Sequence, residues 1–223
     1  MNLSPLLISL KVASITTIIT FFMGIFCAKL ISDIKNKYIK LILDSILTLP
    51  LVLPPTVTGF FLLLIFGING PIGKLFLEIF GIKIVFSWIA SVIASTVISF
   101  PLMYNSAKAA FEQIDENLSF AGQTLGLNNW NIFWKILFPN ALPGILSGGV
   151  LSFARAIGEF GATAMIAGNI LGKTRTMPLA VYSAVAGGNM KEAYLYVLII
   201  LFISFIVIMA MNYFTKQKER WNN

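Results

Sequence analysis

Glu116-Asn-Leu-Ser-Phe-Ala-Gly-Gln-Thr-Leu-Gly-Leu-Asn-Asn-Trp-Asn-Ile-Phe-Trp-Lys-Ile-Leu-Phe-Pro139 is a polar, helix-forming stretch set between long apolar runs. Ile114, Leu118, Ala121 and Leu125 recur at the period of one helix face. Asp115 or Asn117 can cap its start, and Gly126 supplies a left-handed stop. Asn128 or Asn129 can cap a second helix carrying Trp130, Phe133, Trp134 and Leu137, aromatic residues suited to the headgroup boundary. Pro139 is expected to end that helix, and Pro143 to lie where the next apolar run begins. The expected unit is a short helix over about 115–127 inside a polar loop over 108–139. A simple anchor needs no such insertion, whereas a membrane protein moved by a soluble partner does. An ordinary amphipathic loop helix fits the pattern equally well.

The flanking runs fix the class. Of 223 residues, 57% are hydrophobic and 11% charged, against about 25% charged in soluble domains. Several runs reach the roughly 20 residues that cross a bilayer core as a helix. The chain is therefore read as an all-α polytopic membrane protein, one transmembrane domain over 1–223, with the lipid bilayer as its surroundings. The net charge of +7 comes from Lys and Arg residues flanking apolar runs, so it is read as an orientation signal and not as a nucleic-acid surface. His is absent and Cys27 is the single cysteine, so no internal disulfide, metal site or catalytic residue is expected. The first Lys is Lys11, and no A-x-A-like site follows the first run, which favours a retained span over a cleaved signal peptide.

Five spans are expected, or six: about Pro5–Ile31, Leu41–Phe66, Ile84–Ala107, Leu142–Ile166 and Ala193–Phe214. Lys29, Lys35, Lys37 and Lys40 crowd the first loop, and Lys216, Lys218 and Arg220 the tail. Both clusters mark cytoplasmic segments, giving an outside N-terminus, an inside C-terminus and a cytoplasmic insertion. Lys74, Lys83, Lys173 and Arg175 fall in outer loops at lower density. No internal repeat is visible, and five spans are few for a complete pore. A homodimer with the pathway at its two-fold axis is the economical arrangement.

Arg155 and Glu159 fall within the fourth span, where charges are costly and face a partner or water. At i,i+4 they can pair on one helix face. Pro50, Pro54 and Pro55 interrupt the second span near Thr48, Thr56 and Thr58, and a break there either lines a cavity or is a packed kink. Gly144, Gly148 and Ser152 form a small-residue stripe, for packing within the subunit or at a dimer.

Gly126, followed by Ile136-Leu-Phe-Pro139, resembles the E-A-A-x3-G-x9-I-x-L-P loop of permease subunits in ATP-binding-cassette importers. Phe120-Ala121-Gly122 stands in place of Glu-Ala-Ala, and Phe138 in place of Leu. Leu49-Pro-Leu-Val-Leu-Pro-Pro-Thr-Val-Thr-Gly59, Phe153-Ala-Arg-Ala-Ile-Gly-Glu-Phe-Gly-Ala162 and Asn169-Ile-Leu-Gly-Lys-Thr-Arg-Thr-Met-Pro178 resemble the molybdate and sulfate branch, and within it most closely the molybdate permeases.

The resemblance implies a type I importer fold and an ATP-driven oxyanion permease, for molybdate first and for tungstate, sulfate or thiosulfate as alternatives. It implies docking of an ATPase on a coupling helix through Leu118, Ser119, Phe120, Ala121, Gly122, Thr124, Leu125 and Gly126. It also implies two copies of the chain, two cytoplasmic ATPase subunits and an extracytoplasmic oxyanion-binding protein. Pro54, Pro55, Thr56, Thr58, Arg155 and Glu159 then become candidates for the pathway or gate. A guanidinium at Arg155 suits a tetrahedral oxyanion, and Glu159 would keep its hold weak. Helix packing through a mutually neutralised pair is the competing role.

Gly172-Lys173-Thr174 ends like a phosphate-binding loop, but Ala167 stands where the first glycine is required. ATP with Mg is therefore assigned to the partner ATPase, and no cofactor to this chain. An ion-coupled transporter or channel and a non-transporting scaffold are the rival readings.

Overall fold

The computed structural model describes residues 2–221, apart from the side chains of Glu116, Ala210 and 212–221. The tail cluster Lys216, Lys218 and Arg220 thus lies outside the described side chains. The elements are α1 (Ser4–Ser32), α2 (Lys37–Val52), α3 (Pro55–Phe66), α4 (Pro71–Phe80), α5 (Trp88–Glu112), α6 (Glu116–Thr124), α7 (Asn129–Ile132), a π-helical turn (Phe133–Leu137), α8 (Phe138–Ile157), α9 (Gly161–Ala167), α10 (Met177–Ala186) and α11 (Met190–Trp221). Among the described residues four helices are long and apolar enough to cross a membrane: α1, α5, the continuous 129–157 helix and α11 over 190–209. The bent pair α2–α3 makes up to five.

Side-chain contacts set the directions. Thr16 Oγ1 donates to Val92 O (3.4 Å), and Gly24 abuts Met103 and Tyr104, so α1 and α5 run in parallel. Gly144 faces Ala110 and Gly148 faces Ser106, so α8 runs back along α5. The start of α11 lies beside the N-terminus, where the Tyr196 hydroxyl donates to Asn2 O (3.0 Å). Its later residues Ile206 and Val207 reach Leu146. α2 begins beside the end of α5, with Lys40 2.9 Å from Glu112. The chain reaches the start of α5 by Trp88, so residues 37–87 cross the bundle once. The N-terminus and the end of α11 therefore lie at opposite ends, and α6 lies at the α11 end.

Small residues hold the bundle together. A Cβ on Gly24 would sit 2.7 Å from Met103 Cγ, and one on Gly148 2.5 Å from Ser106 Cβ. Ser152 shares a 2.8 Å hydrogen bond with Thr20. The Gly144/Gly148/Ser152 stripe thus packs within the subunit, on α5 and α1. Close backbone approach supplies van der Waals contact where lipid removes the hydrophobic drive.

Four expectations change. The second crossing is bent by 112° at Leu53-Pro54, because Pro54 and Pro55 leave the carbonyls before them without N–H partners. The fourth span ends at Ile157, not Ile166, and a separate short helix, α9, follows. The helix at Asn129 does not stop at Pro139 but continues into that span. The π turn absorbs the proline: the Phe138 N–H bonds to Phe133 O, and Asn140 Nδ2 donates to Ile136 O (2.7 Å). The polar loop is also shorter than 108–139, since α5 runs to Glu112.

Candidate coupling surface and transport path

α6 is built from its caps inward. Asp115 caps it, its side chain accepting from Asn117 N (2.9 Å). At the other end Leu127 N donates to Gly122 O (3.0 Å) and Gly126 N to Gln123 O (2.9 Å). This double bond pattern closes a helix around a left-handed residue, and Gly126 has φ +78°. Asn128 then caps α7, accepting from Asn131 N (2.8 Å).

The expected apolar face of α6 is the uncovered one. Leu118 is 43% exposed, Phe120 57% and Leu125 80%, and Ala121, Thr124 and Gly126 are exposed beside them. Ser119 is half-buried. Gly122 is buried and turns inward, where an added Cβ would lie 2.9 Å from Ile136 Cδ1 and 3.1 Å from Ile132 Cγ1. It seats α6 on the base of the 129–157 helix. Trp130 and Trp134 stand on the exposed side of that base.

The path candidates converge where two helices break. Arg155 lies in the last turn of α8, and Glu159 lies just beyond it rather than on the same helix. They still pair: Arg155 Nη1 is 2.8 Å from Glu159 Oε2. Glu159 Oε1 also accepts from Ala162 N (2.8 Å) in the first turn of α9. Glu159 is buried and the Arg155 side chain 29% exposed. Ala156 and Ile157 pack with Ala13 of α1, which places the pair toward the end of the bundle opposite α6.

The α2–α3 break abuts this one. An added Cβ at Gly161 would lie 3.1 Å from Pro55 Cβ and 3.2 Å from Thr56 N, and one at Gly59 2.7 Å from Ala162 Cα. Pro54 and Thr56 are exposed, Pro55 is half-buried and Thr58 is buried. The Thr58 and Thr163 hydroxyls, one on each short helix, have no hydrogen-bond partner among the described residues. A helix N-terminus carries partial positive charge, so α3 begins beside Arg155 and Glu159 with its positive end toward the joint.

A second charged group was not anticipated. Asp44 of α2 accepts from Tyr104 and Lys108 of α5, and Lys40 binds Glu112 (2.9 Å) on the same faces. The signal was present: Asp44 lies inside the apolar run 41–66, where an acid demands a partner. Among the described residues no cluster of His, Cys, Asp or Glu could hold a metal.

Residues 20–220 match the family model described as "Binding-protein-dependent transport system inner membrane component". The chain belongs to that family. Two relatives in it are the molybdenum transport system permease proteins ModB of Escherichia coli K12 and of Haemophilus influenzae. The first is 46% identical over 80% of this chain and 78% of the relative. The second is 43% identical over 86% of this chain and 83% of the relative. Among solved structures, a chain of a bacterial alginate ABC transporter, crystallised with its alginate-bound periplasmic protein, superposes with a TM-score of 0.76 at 15% identity. That match covers 96% of this chain and 78% of the other. It places the five-crossing bundle among type I importer permeases, as fold alone.

Proposed function

We propose that this permease is the membrane subunit of an ATP-driven molybdate importer. The observation that carries the reading is the uncovered apolar face of α6, held rigidly by two caps and seated through Gly122 on the base of a membrane span. Such a face needs a partner, and in a permease of this family that partner is the ATPase subunit. Leu118, Phe120, Ala121, Thr124 and Leu125 make the docking contact, with Ser119 and Gly126 at its margins, and Gly122 transmits it. ATP and Mg act on the partner, and this chain performs no covalent chemistry and binds no cofactor.

The α6 end faces the cytoplasm, the side on which Lys29, Lys35, Lys37 and Lys40 lie, as the positive-inside bias requires. The N-terminus then lies outside and the C-terminus inside. A second copy completes the pathway, since the outer faces of α2 and α3 carry exposed Leu49, Val52, Val57, Phe60 and Leu64. Two ATPase subunits dock below, and a binding protein delivers the anion above. The Arg155/Glu159 joint is the outer gate. The guanidinium and the start of α3 attract the oxyanion, and Glu159 limits how tightly it is held. Molybdate is favoured over sulfate by the identity of the relatives.

Affinity purification of the tagged protein from native membranes tests the core of this reading. Stoichiometric recovery of an ATPase, lost in Leu118→Asp, supports it. Absence of any ATPase from the wild-type eluate would sink it.

A further inference from the structure

The loop joining α9 to α10 is built with more care than a connection needs. Gly168 (φ +69°) turns the chain out of α9. Ile170 O accepts the N–H groups of Lys173 (3.1 Å), Thr174 (2.9 Å) and Arg175 (3.0 Å). Thr174 is fully buried and its hydroxyl accepts from Ile170 N (3.0 Å). Asn169 accepts from Arg175 Nε (2.8 Å) and donates to Ser183 Oγ of α10 (2.7 Å). Met177 N, where α10 begins, donates to Ser9 Oγ of α1 (2.7 Å). The stalk is locked to three helices while the tip stands free. Leu171 is 55% exposed, Gly172 (φ +75°) faces open space and Lys173 is exposed. No carboxylate lies within ion-pair distance of Lys173 among the described residues.

This tip belongs to a basic end of the molecule. Lys74, Lys83, Lys173, Arg175 and Lys191 lie there against Glu78 and Glu192. Glu78 already faces Lys74 (3.8 Å), and Glu192 is bound by Tyr196 and Asn189. On the proposed orientation these cations sit on the outer side, against the bias that orients membrane proteins. Their retention there calls for a negative partner.

We propose that the Leu171–Lys173 tip is a docking post for an acidic face of the extracytoplasmic binding protein. Leu171 supplies an apolar anchor and Lys173 a charge that steers approach. The family is binding-protein-dependent, which brings such a partner to this side, so the inference rests on the importer reading and its orientation. The post is continuous with α9, whose first turn is held by Glu159, so a protein seated on it bears on the outer gate.

The test uses the permease–ATPase complex in nanodiscs and the purified binding protein loaded with molybdate. Lys173→Glu is expected to weaken binding about tenfold, Lys173→Gln less, with the wild-type affinity falling as salt rises. Basal ATPase activity should not change. A photo-reactive residue at Leu171 is expected to cross-link to the binding protein. Unchanged affinity in Lys173→Glu, or no cross-link from Leu171, overturns the docking post and leaves the importer reading standing. Normal binding with reduced uptake would assign the loop to the free anion and overturn it too. Failure of the wild-type complex to bind the loaded protein at any salt would bring down the orientation or importer reading itself.

Discussion

Arg155 and Glu159 meet at 2.8 Å across the gap between two helices, one residue closing α8 and the other opening α9. The pair is thus a joint as well as a charge site. Glu159→Ala would leave both Arg155 and the Ala162 N–H without their acceptor in a buried position, at about 3–5 kcal/mol. A clearly lower unfolding midpoint in detergent is expected, with a smaller loss in Glu159→Gln, which still accepts from Ala162 N. Arg155→Ala should lower molybdate uptake while the ATPase is still recovered with the permease. Uptake at the normal rate would remove Arg155 from the path.

Asp44 and Lys108 clamp α2 onto the end of α5 that leads into α6. A double-mutant cycle of Asp44→Ala and Lys108→Ala should give a coupling of about 1–3 kcal/mol in chemical unfolding. Additive effects would mean that the contact carries no energy of its own.

The two helix breaks meet over glycine. At Gly59 an added methyl would lie 2.7 Å from the backbone of Ala162, whereas at Gly161 the nearest atom is a proline Cβ at 3.1 Å. Gly59→Ala should therefore reduce the folded fraction more than Gly161→Ala, as read by size-exclusion chromatography of solubilised membranes. The reverse order would contradict the joint.

Gly126 and Gly122 separate conformation from packing. Gly126 has φ +78° and open space around it, so Gly126→Ala should cost about 1 kcal/mol and Gly126→Asn less. Gly122→Leu should lift α6 off Ile132 and Ile136. ATPase recovery should then fall far more in Gly122→Leu than in Gly126→Ala, and equal losses would argue against Gly122 as the transmitting seat.

Much of the candidate site was legible because it depends on local chemistry. The caps at Asp115 and Asn128 and the stop at Gly126 follow from residue type and spacing. So does the break at Pro54-Pro55. What misled was the assumption that a proline always ends a helix: Pro139 is carried by a π turn and by the Asn140 side chain. The apolar face Ile114–Leu118–Ala121–Leu125 was read correctly as a face, but periodicity cannot say whether a face turns inward.

By itself, then, the sequence determined that this chain is a helical membrane protein with a capped polar insertion between its spans, because bilayer length, capping and turn chemistry act within a few residues of their source. Only the tertiary structure decided which side of α6 stays bare, that Gly122 and not Leu118 touches the bundle, that Asp44 meets Lys108, and that Pro55 rests on Gly161. These pairings join segments far apart in the chain, and close packing selects among them through contacts that no local pattern encodes.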